Sequence, residues 1–334
     1  MFKLDSKEKI EALNFATMLN VLKCSEKKLE EQFDRFALDN DISKMIDDEM
    51  VYAYELFFGI KKEIILQEFE LAKDAFEQLD ENDEIIKRGS HDYPKNLEET
   101  QEAPRFLYLR GKKALLYETR NVAIVGSRKA SAQAIDNTIR LTKELGRNGI
   151  TIVSGLAKGI DVNAHRTALE NGYNTIAVIG TSLNRYYPVE NKAVQIDIEK
   201  RGLIVSQFSP AAHTNRWCFP MRNGVMSGLS MATVIMEAGE TSGALKQADY
   251  AIKQHRLVLI PEKALKDKRI TWPQKYVVKG AKVVVKPIDI LHELKKYNIY
   301  NANDTSVEQL SIFNCFLEDD NEYSLDVSDM LVEK

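Results

Sequence analysis

Along residues 6–88 apolar side chains recur every three or four positions, as at Leu13, Ala16 and Leu19 and again at Leu56, Ile60 and Ile64, with acidic residues between them and one glycine, Gly59. A period near 3.6 gives each helix one apolar stripe, so the spacing predicts a small all-helical domain over residues 1–88. The run from Arg88 through Gly89, Tyr93 and Pro94 to Asn96 has turn chemistry and marks a linker. Linker and lead-in cover 89–120 and include a short strand candidate at 106–111 that ends in a glycine turn.

From Asn121 the pattern changes. Runs at 122–125, 151–154, 175–179, 203–206, 233–236 and 257–260 are apolar without alternation, as expected of strands covered on both faces. Helix-length segments at 131–147, 161–171 and 242–255 separate them, with Asn148-Gly149 and Asn171-Gly172 as stops and Asp161 as an N-cap. The alternation predicts an α/β fold with a doubly wound, mostly parallel sheet over 121–294. Ligands of such sheets sit beyond the carboxyl ends of the strands. Residues 295–334, with the run Glu318-Asp319-Asp320-Asn321-Glu322, read as an acidic C-terminal tail.

Composition adds the class. At 334 residues, 44% apolar and 29% charged, the chain reads as a soluble globular protein of about two domains. No apolar run nears the ~18 residues of a membrane span. Lys3, Asp5, Lys7 and Glu8 stand where a signal peptide needs its apolar core, so a cytoplasmic protein without membrane contact is expected. Cys24, Cys218 and Cys315 are too widely spaced for a Cys-x-x-Cys site and odd in number, which predicts reduced structural thiols and no metal site. The net charge of −4 conceals an asymmetry: residues 104–289 hold 29 Lys and Arg against 14 Asp and Glu, whereas residues 1–90 hold 13 against 22. A polyanionic ligand explains such a pattern, and so does a well-solvated surface.

Four strand-end turns carry the candidate chemistry. In the first, Gly126 and Ser127 follow a strand and precede a helix, with Arg128 and Lys129 supplying charge, a composition suited to phosphate. Neither a Gly-x-Gly-x-x-Gly fingerprint nor a Walker lysine is present, so no nucleotide cofactor is expected. The second turn, Ser154 to His165, places Lys158 beside Gly159 and near the first turn if the strands are neighbours. His165 reads as packed and hydrogen-bonded rather than catalytic. The third, Arg216 to Gly224, interleaves Arg216 and Arg222 with Trp217 and Phe219, which suits a single strand of nucleic acid. Burial beneath the loop is equally open for both aromatic residues. In the fourth, Ser242 and Gly243 can offer a hydroxyl and N–H groups, and Glu237 reads as structural.

In order, Val122-Ala-Ile-Val-Gly-Ser-Arg128, Ser154-Gly-Leu-Ala-x-Gly-Ile-Asp-x-x-Ala-His165, Tyr187-Pro-x-x-Asn191, Phe219-Pro-x-Arg-Asn-x-x-x-Ser-Gly-Leu-Ser230 and Glu237-Ala-x-x-x-Ser-Gly-Ala-Leu245 resemble the DNA-processing protein A family, DprA or Smf. The resemblance spans residues 91–294. It implies an extended Rossmann-like domain that forms a homodimer, binds single-stranded DNA without strong sequence preference and helps load a RecA-type recombinase during DNA uptake. It also implies that Arg128, Arg216, Phe219 and Arg222 line the DNA pocket, with Gly126, Ser127, Lys158 and Asn223 completing its rim. Departures stand at Gly224, where the family often has a third basic residue, at Lys246-Gln247, and at Glu262, where it usually has glycine. The winged-helix end of many members is replaced by the acidic tail.

Two other functions compete. One is a specialised homologue that senses DNA or a nucleotide in a defence or mobile-element locus. The other is a nucleotide phosphoribohydrolase-like enzyme, which uses a Pro-Gly-Gly-x-Gly-Thr-x-x-Glu motif that residues 237–245 do not match. A binding protein rather than an enzyme is expected.

Overall fold

The computed structural model describes residues 2–302. Four helices come first: α1 (Lys7–Leu22), α2 (Glu26–Phe36), α3 (Met50–Phe58) and α4 (Lys62–Glu77). Ser6 and Ser25 cap the first two, each hydroxyl accepting the backbone N–H three residues on. Leu29, Phe33 and Phe36 on α2 and Ile65, Phe69, Ala72 and Phe76 on α4 form their buried stripes. Leu13 and Ala16 are buried as the periodicity predicts, but Leu56 and Ile64 face solvent. The α4 stripe begins one residue later than expected, at Ile65, because Phe69, Ala72 and Phe76 share its face.

The sheet starts earlier than the apolar pattern suggests. β1 (Glu84–Lys87), placed within the helical region by the sequence, pairs antiparallel with β2 (Phe106–Gly111), and β2 pairs antiparallel with β6 (Leu203–Ser206). An Arg110–Asp83 ion pair at 2.5 Å clamps this edge, with Asp83 buried. A short α5 (Lys95–Glu98) lies between β1 and β2. The remaining strands run parallel: β3 (Asn121–Val125), β4 (Thr151–Ser154), β5 (Thr175–Ile179), β6, β7 (Ala232–Ile235), β8 (Leu257–Pro261) and β9 (Lys282–Val284). The connecting helices are α6 (Ala132–Arg147), α7 (Ile160–Glu170), α8 (Lys192–Arg201), α9 (Cys218–Gly228), α10 (Gly243–Lys253), α11 (Glu262–Lys266) and α12 (Trp272–Val278), and α13 (Pro287–Ala302) follows β9.

Strand order is β1-β2-β6-β5-β4-β3-β7-β8-β9. The chain winds outward from β3 to β6 on one side and from β7 to β9 on the other, so the order reverses between β3 and β7. Alternate residues of each strand serve different layers. Val122, Ile124, Ile152, Val234 and Leu259 pack on α6, α7 and α13. Ala123, Val125, Val153, Val178 and Val205 pack on α9, α10 and Trp272. No described helix is long and apolar enough to cross a membrane. The expected acidic tail overlaps α13 up to Ala302 and otherwise lies outside the described residues.

The N-terminal helices rest on the β1–β2 end of the sheet, with Phe15, Phe33 and Phe76 in one core with Phe106 and Tyr108. Charge fixes the contact. Arg105, 6% exposed, donates to Glu11 at 2.8 Å and Asp34 at 2.6 Å, while its backbone N–H meets Glu26 Oε1 at 2.8 Å. Phe15 and Phe33 flank its guanidinium at 5.5 and 5.6 Å. Lys87 pairs with Glu11 at 2.6 Å and Arg88 with Glu30. Part of the acidic surplus of residues 1–90 is thus matched within the chain.

Replacing one member of a buried pair leaves the other charged and desolvated, so Arg105→Ala should cost about 3–5 kcal/mol in urea unfolding. Glu26 is pushed up to about 7 by burial, opposed by the Arg105 N–H. A carboxyl whose folded pKa is raised gives stability that is full below its unfolded pKa and lost as pH rises through 7. Glu26→Gln should therefore stabilise the protein by about 1–2 kcal/mol at pH 8, and the gain should shrink as pH falls below about 7 and vanish near about pH 4 in a pH series of thermal melts.

Candidate nucleic-acid interface

The turns after β3 and β4 are locked together by close backbone approach. A Cβ on Gly126 would stand 2.5 Å from Ile160 Cγ1, and one on Gly159, at φ +77°, would overlap Ser127 O. Ile160 N–H donates to Ser127 O at 3.3 Å. From the far side Glu237 holds the same turn: its backbone O accepts from Ser127 N–H at 2.7 Å, and its carboxylate accepts from Ser131 N–H and Oγ at 3.0 and 2.6 Å. Glu237 is thus a brace. Arg128 and Lys129 project into solvent from this braced turn.

Lys158 is also exposed, and pairs with Glu190 at 2.7 Å across solvent, a contact of little energetic weight. Asp161 is buried instead of capping α7, whose N-cap position is Gly159. Its carboxylate faces the backbone N–H groups of Ala157 and Gly155, and burial pushes its pKa up against the opposing pull of Arg222. His165 is buried with Nδ1 2.8 Å from Thr175 Oγ1, and burial drops its pKa to about 3, so it stays neutral. The packed reading of His165 describes what the structure shows.

Arg222 and Asn223 lie elsewhere than the sequence placed them. Arg222 is 5% exposed and donates to Gly155 O at 2.6 Å, to Val178 O and, through Nε, to Asn223 Oδ1 at 3.1 Å. A Cβ on Gly155 would overlap its guanidinium. Burial lowers its pKa to about 10, with Asp161 opposing, so it remains charged at neutral pH. Asn223 Nδ2 donates to Gly243 O at 3.2 Å. Both side chains tie strand ends together inside the protein instead of meeting ligand at its surface. The physical reason is depth: from Arg222 to Gly228 α9 is buried on all its faces, so no side chain in this stretch reaches the surface.

The segment before α9 stays outside. Arg216 is exposed and Trp217 is 75% exposed. Phe219 lies half-buried on Gly180, where a Cβ would come within 2.6 Å of its ring. Tyr187 packs on Phe219 with centroids 5.0 Å apart, and the Arg128 guanidinium lies 5.9 Å from the Phe219 centroid. The structure thus brings Arg128 directly onto Phe219 and adds a second ring on Phe219, Tyr187, that sequence reasoning cited only within a motif. The available signal was an aromatic beside proline in a strand-end loop. Arg185 in the same loop is exposed and was also missed. Arg128, Lys129, Arg185 and Arg216 have no carboxylate partner among the described residues.

Ser242 caps α10, its Oγ accepting Ala244 N–H at 3.3 Å, and Gly243 is exposed with open space at its Cα. Gly224 does not face this surface: a side chain there would meet Glu102, at 2.8 Å from a Cβ. Glu262 opens α11 and pairs with Lys266 at 2.6 Å.

Fold and site together define a Rossmann-type α/β protein whose strand-end loops present unpaired cations beside aromatic faces. Such a surface can hold an anionic backbone and stack a planar base. The family model described as DNA recombination-mediator protein A matches residues 84–295, and the chain belongs to that family. It is 35% identical over 214 residues to DNA processing protein DprA of Bacillus subtilis, covering 64% of this chain and 72% of that one. With DprA of Streptococcus pneumoniae it shares 37% over 203 residues, 61% of this chain and 71% of that one. The X-ray structure of the pneumococcal protein superposes with a TM-score of 0.64 at 31% identity over 88% of this chain and 99% of that one. DNA processing protein A of Helicobacter pylori, whose structure concerns its single-stranded DNA binding mode, gives 0.57 at 28% identity over 64% and 96%.

Opposite placements of two arginines give opposite expectations. Arg222→Ala should lower unfolding stability by about 3 kcal/mol, since it leaves Asp161 buried without its counter-charge. Arg128→Ala should leave the urea midpoint unchanged within about 0.5 kcal/mol, as for other exposed sites.

Proposed function

We propose that this protein binds single-stranded DNA without sequence preference on the loops beyond the carboxyl ends of β3–β6, and acts as a recombination mediator that helps load a RecA-type recombinase during DNA uptake. The observation that carries the DNA reading is the convergence of Arg128 on the Phe219–Tyr187 pair, with unpaired Lys129, Arg185 and Arg216 around it. Cations offered to phosphate and rings offered to bases are sequence-tolerant by nature, because every nucleotide has both a charge and a π-face. The single-stranded DNA binding mode of the Helicobacter relative supports the same ligand here. The recombinase and a homodimer are proposed on family membership.

Binding rather than turnover is the reading because the acid–base candidates are engaged elsewhere. Both Glu237 oxygens accept from Ser131, and His165 is enclosed and neutral. Gly126, Ser127, Gly159, Ser242 and Gly243 are proposed to let the strand approach the backbone. Lys158 is proposed to release Glu190 for phosphate. Trp217 is proposed as an outer stacking surface.

Fluorescence anisotropy with labelled oligo-dT and a matching duplex tests this. The single strand should bind more tightly, with log K falling against log salt at a slope of roughly −2 to −3.5 for three to five phosphates. Arg128→Ala should weaken binding by about tenfold or more, and Phe219→Ala by the ~1–3 kcal/mol of one stacked base. A flat salt response would sink the proposal.

A further inference from the structure

A second groove lies on the same carboxyl edge of the sheet, across α6 from the loops described above. It has a volume of about 420 Å³, within the usual range for small-ligand sites. Val234, Met236, Pro261 and Ile290 are among its apolar lining. Arg140 from α6, Lys263 and Lys266 from α11, and Lys286 just before α13 bring positive charge to it from three sides. The departure from the family pattern at Glu262 is part of this groove, because Glu262 opens the short helix that supplies two of its lysines.

The lining selects a chemical class. An apolar floor beneath cations suits a ligand with a planar or apolar body and an anionic end. Arg140 is paired with Asp136 at 2.9 Å and Lys266 with Glu262 at 2.6 Å, both in solvent, whereas the ammonium groups of Lys263 and Lys286 make no ion pair among the described residues, although the Asp289 carboxylate lies near enough to Lys286 to feel its charge. Asp289 in the first turn of α13 reaches back to accept from the N–H groups of Val285 and Lys286 at 2.8 Å, which fixes the loop that carries Lys286. Asn137 accepts from Gln133 at 3.2 Å through Oδ1 and keeps its amide N–H groups for a polar edge of a ligand. The groove lies near the carboxyl ends of β7, β8 and β9, beside the point where strand order reverses and not in it.

We infer that this groove is a second binding site, for a nucleoside phosphate, with the base over Met236 and Pro261 and the phosphate between Lys263 and Lys286. The same chemistry has two sources, a free nucleotide or a further residue of a strand held at the first site. The free-nucleotide case stands whether or not the DNA reading does.

The test is titration of the full chain with ATP and dTMP by calorimetry, and anisotropy with oligo-dT of six and of twenty residues. Both are run on wild type, Lys263→Glu/Lys266→Glu, Lys286→Glu and Arg128→Ala. These lysines are exposed, so thermal melts of the variants should match wild type. Mononucleotide binding that falls about tenfold in both lysine variants but not in Arg128→Ala supports the site with a free nucleotide as its ligand. Loss of the affinity advantage of the longer oligonucleotide in the lysine variants, with the six-residue oligonucleotide unaffected, supports it with the strand as the source. Nucleotide binding abolished by Arg128→Ala alone, or no change in any lysine variant, overturns it.

Discussion

A guanidinium withdrawn from water has to place its N–H groups on protein acceptors, and Arg222 places them on carbonyls at the ends of two neighbouring strands. Its bonds to Gly155 O and Val178 O fix the loops after β4 and β5 relative to each other and to α9. Asp161 lies near enough to favour its charge while facing the N–H groups of the β4 loop. Asn223 extends the tie to α10 through Gly243. The buried network is costly unless every member is satisfied, which gives it one arrangement rather than several. The exposed site depends on that arrangement. Phe219 can sit on Gly180, and Arg128 over Phe219, only while these loops keep their mutual positions.

Charge is divided between inside and outside in a way that total counts conceal. Arg105, Arg110 and Arg222 belong to the basic central region by sequence, yet each is buried or nearly so and holds architecture together. Glu11, Glu30 and Asp34 belong to the acidic N-terminal region, yet they converge on Arg105 and Arg88. Around Phe219 the cations left without an ion pair among the described residues are a smaller set, Arg128, Lys129, Arg185 and Arg216. The first two stand on a turn braced by Glu237, so the charges are presented on a rigid frame, as ligand-binding loops require.

The parallel strands were legible because burial on both faces demands unbroken apolar runs, and 122–125, 151–154, 175–179 and 203–206 are such runs. β1 was not, because Glu84 and Lys87 bracket only two apolar residues and the strand is held by its partner β2 and by Asp83. The exposed cations of the first turn were legible in a glycine after a strand followed by adjacent Arg128 and Lys129. Arg222 was misplaced because an arginine beside aromatics looks the same in sequence whether it reaches solvent or a carbonyl. Tyr187 was seen as part of a motif and not as a surface, because its contact with Phe219 crosses 32 positions of chain.

The sequence by itself determined the alternation of strand and helix, the glycines that permit close backbone approach, and the concentration of positive charge in one region. These are local properties, set by periodicity, by φ and by side-chain identity. Only the tertiary structure decided which cations are buried as ties and which remain free for a ligand. That depends on depth in the fold and on strand neighbours: buried α9 brings Arg222 to Gly155 and Val178, while the turn after β3 leaves Arg128 in water. Desolvation then makes the difference, since the same charge is a structural bond in the interior and stays hydrated and available at the surface.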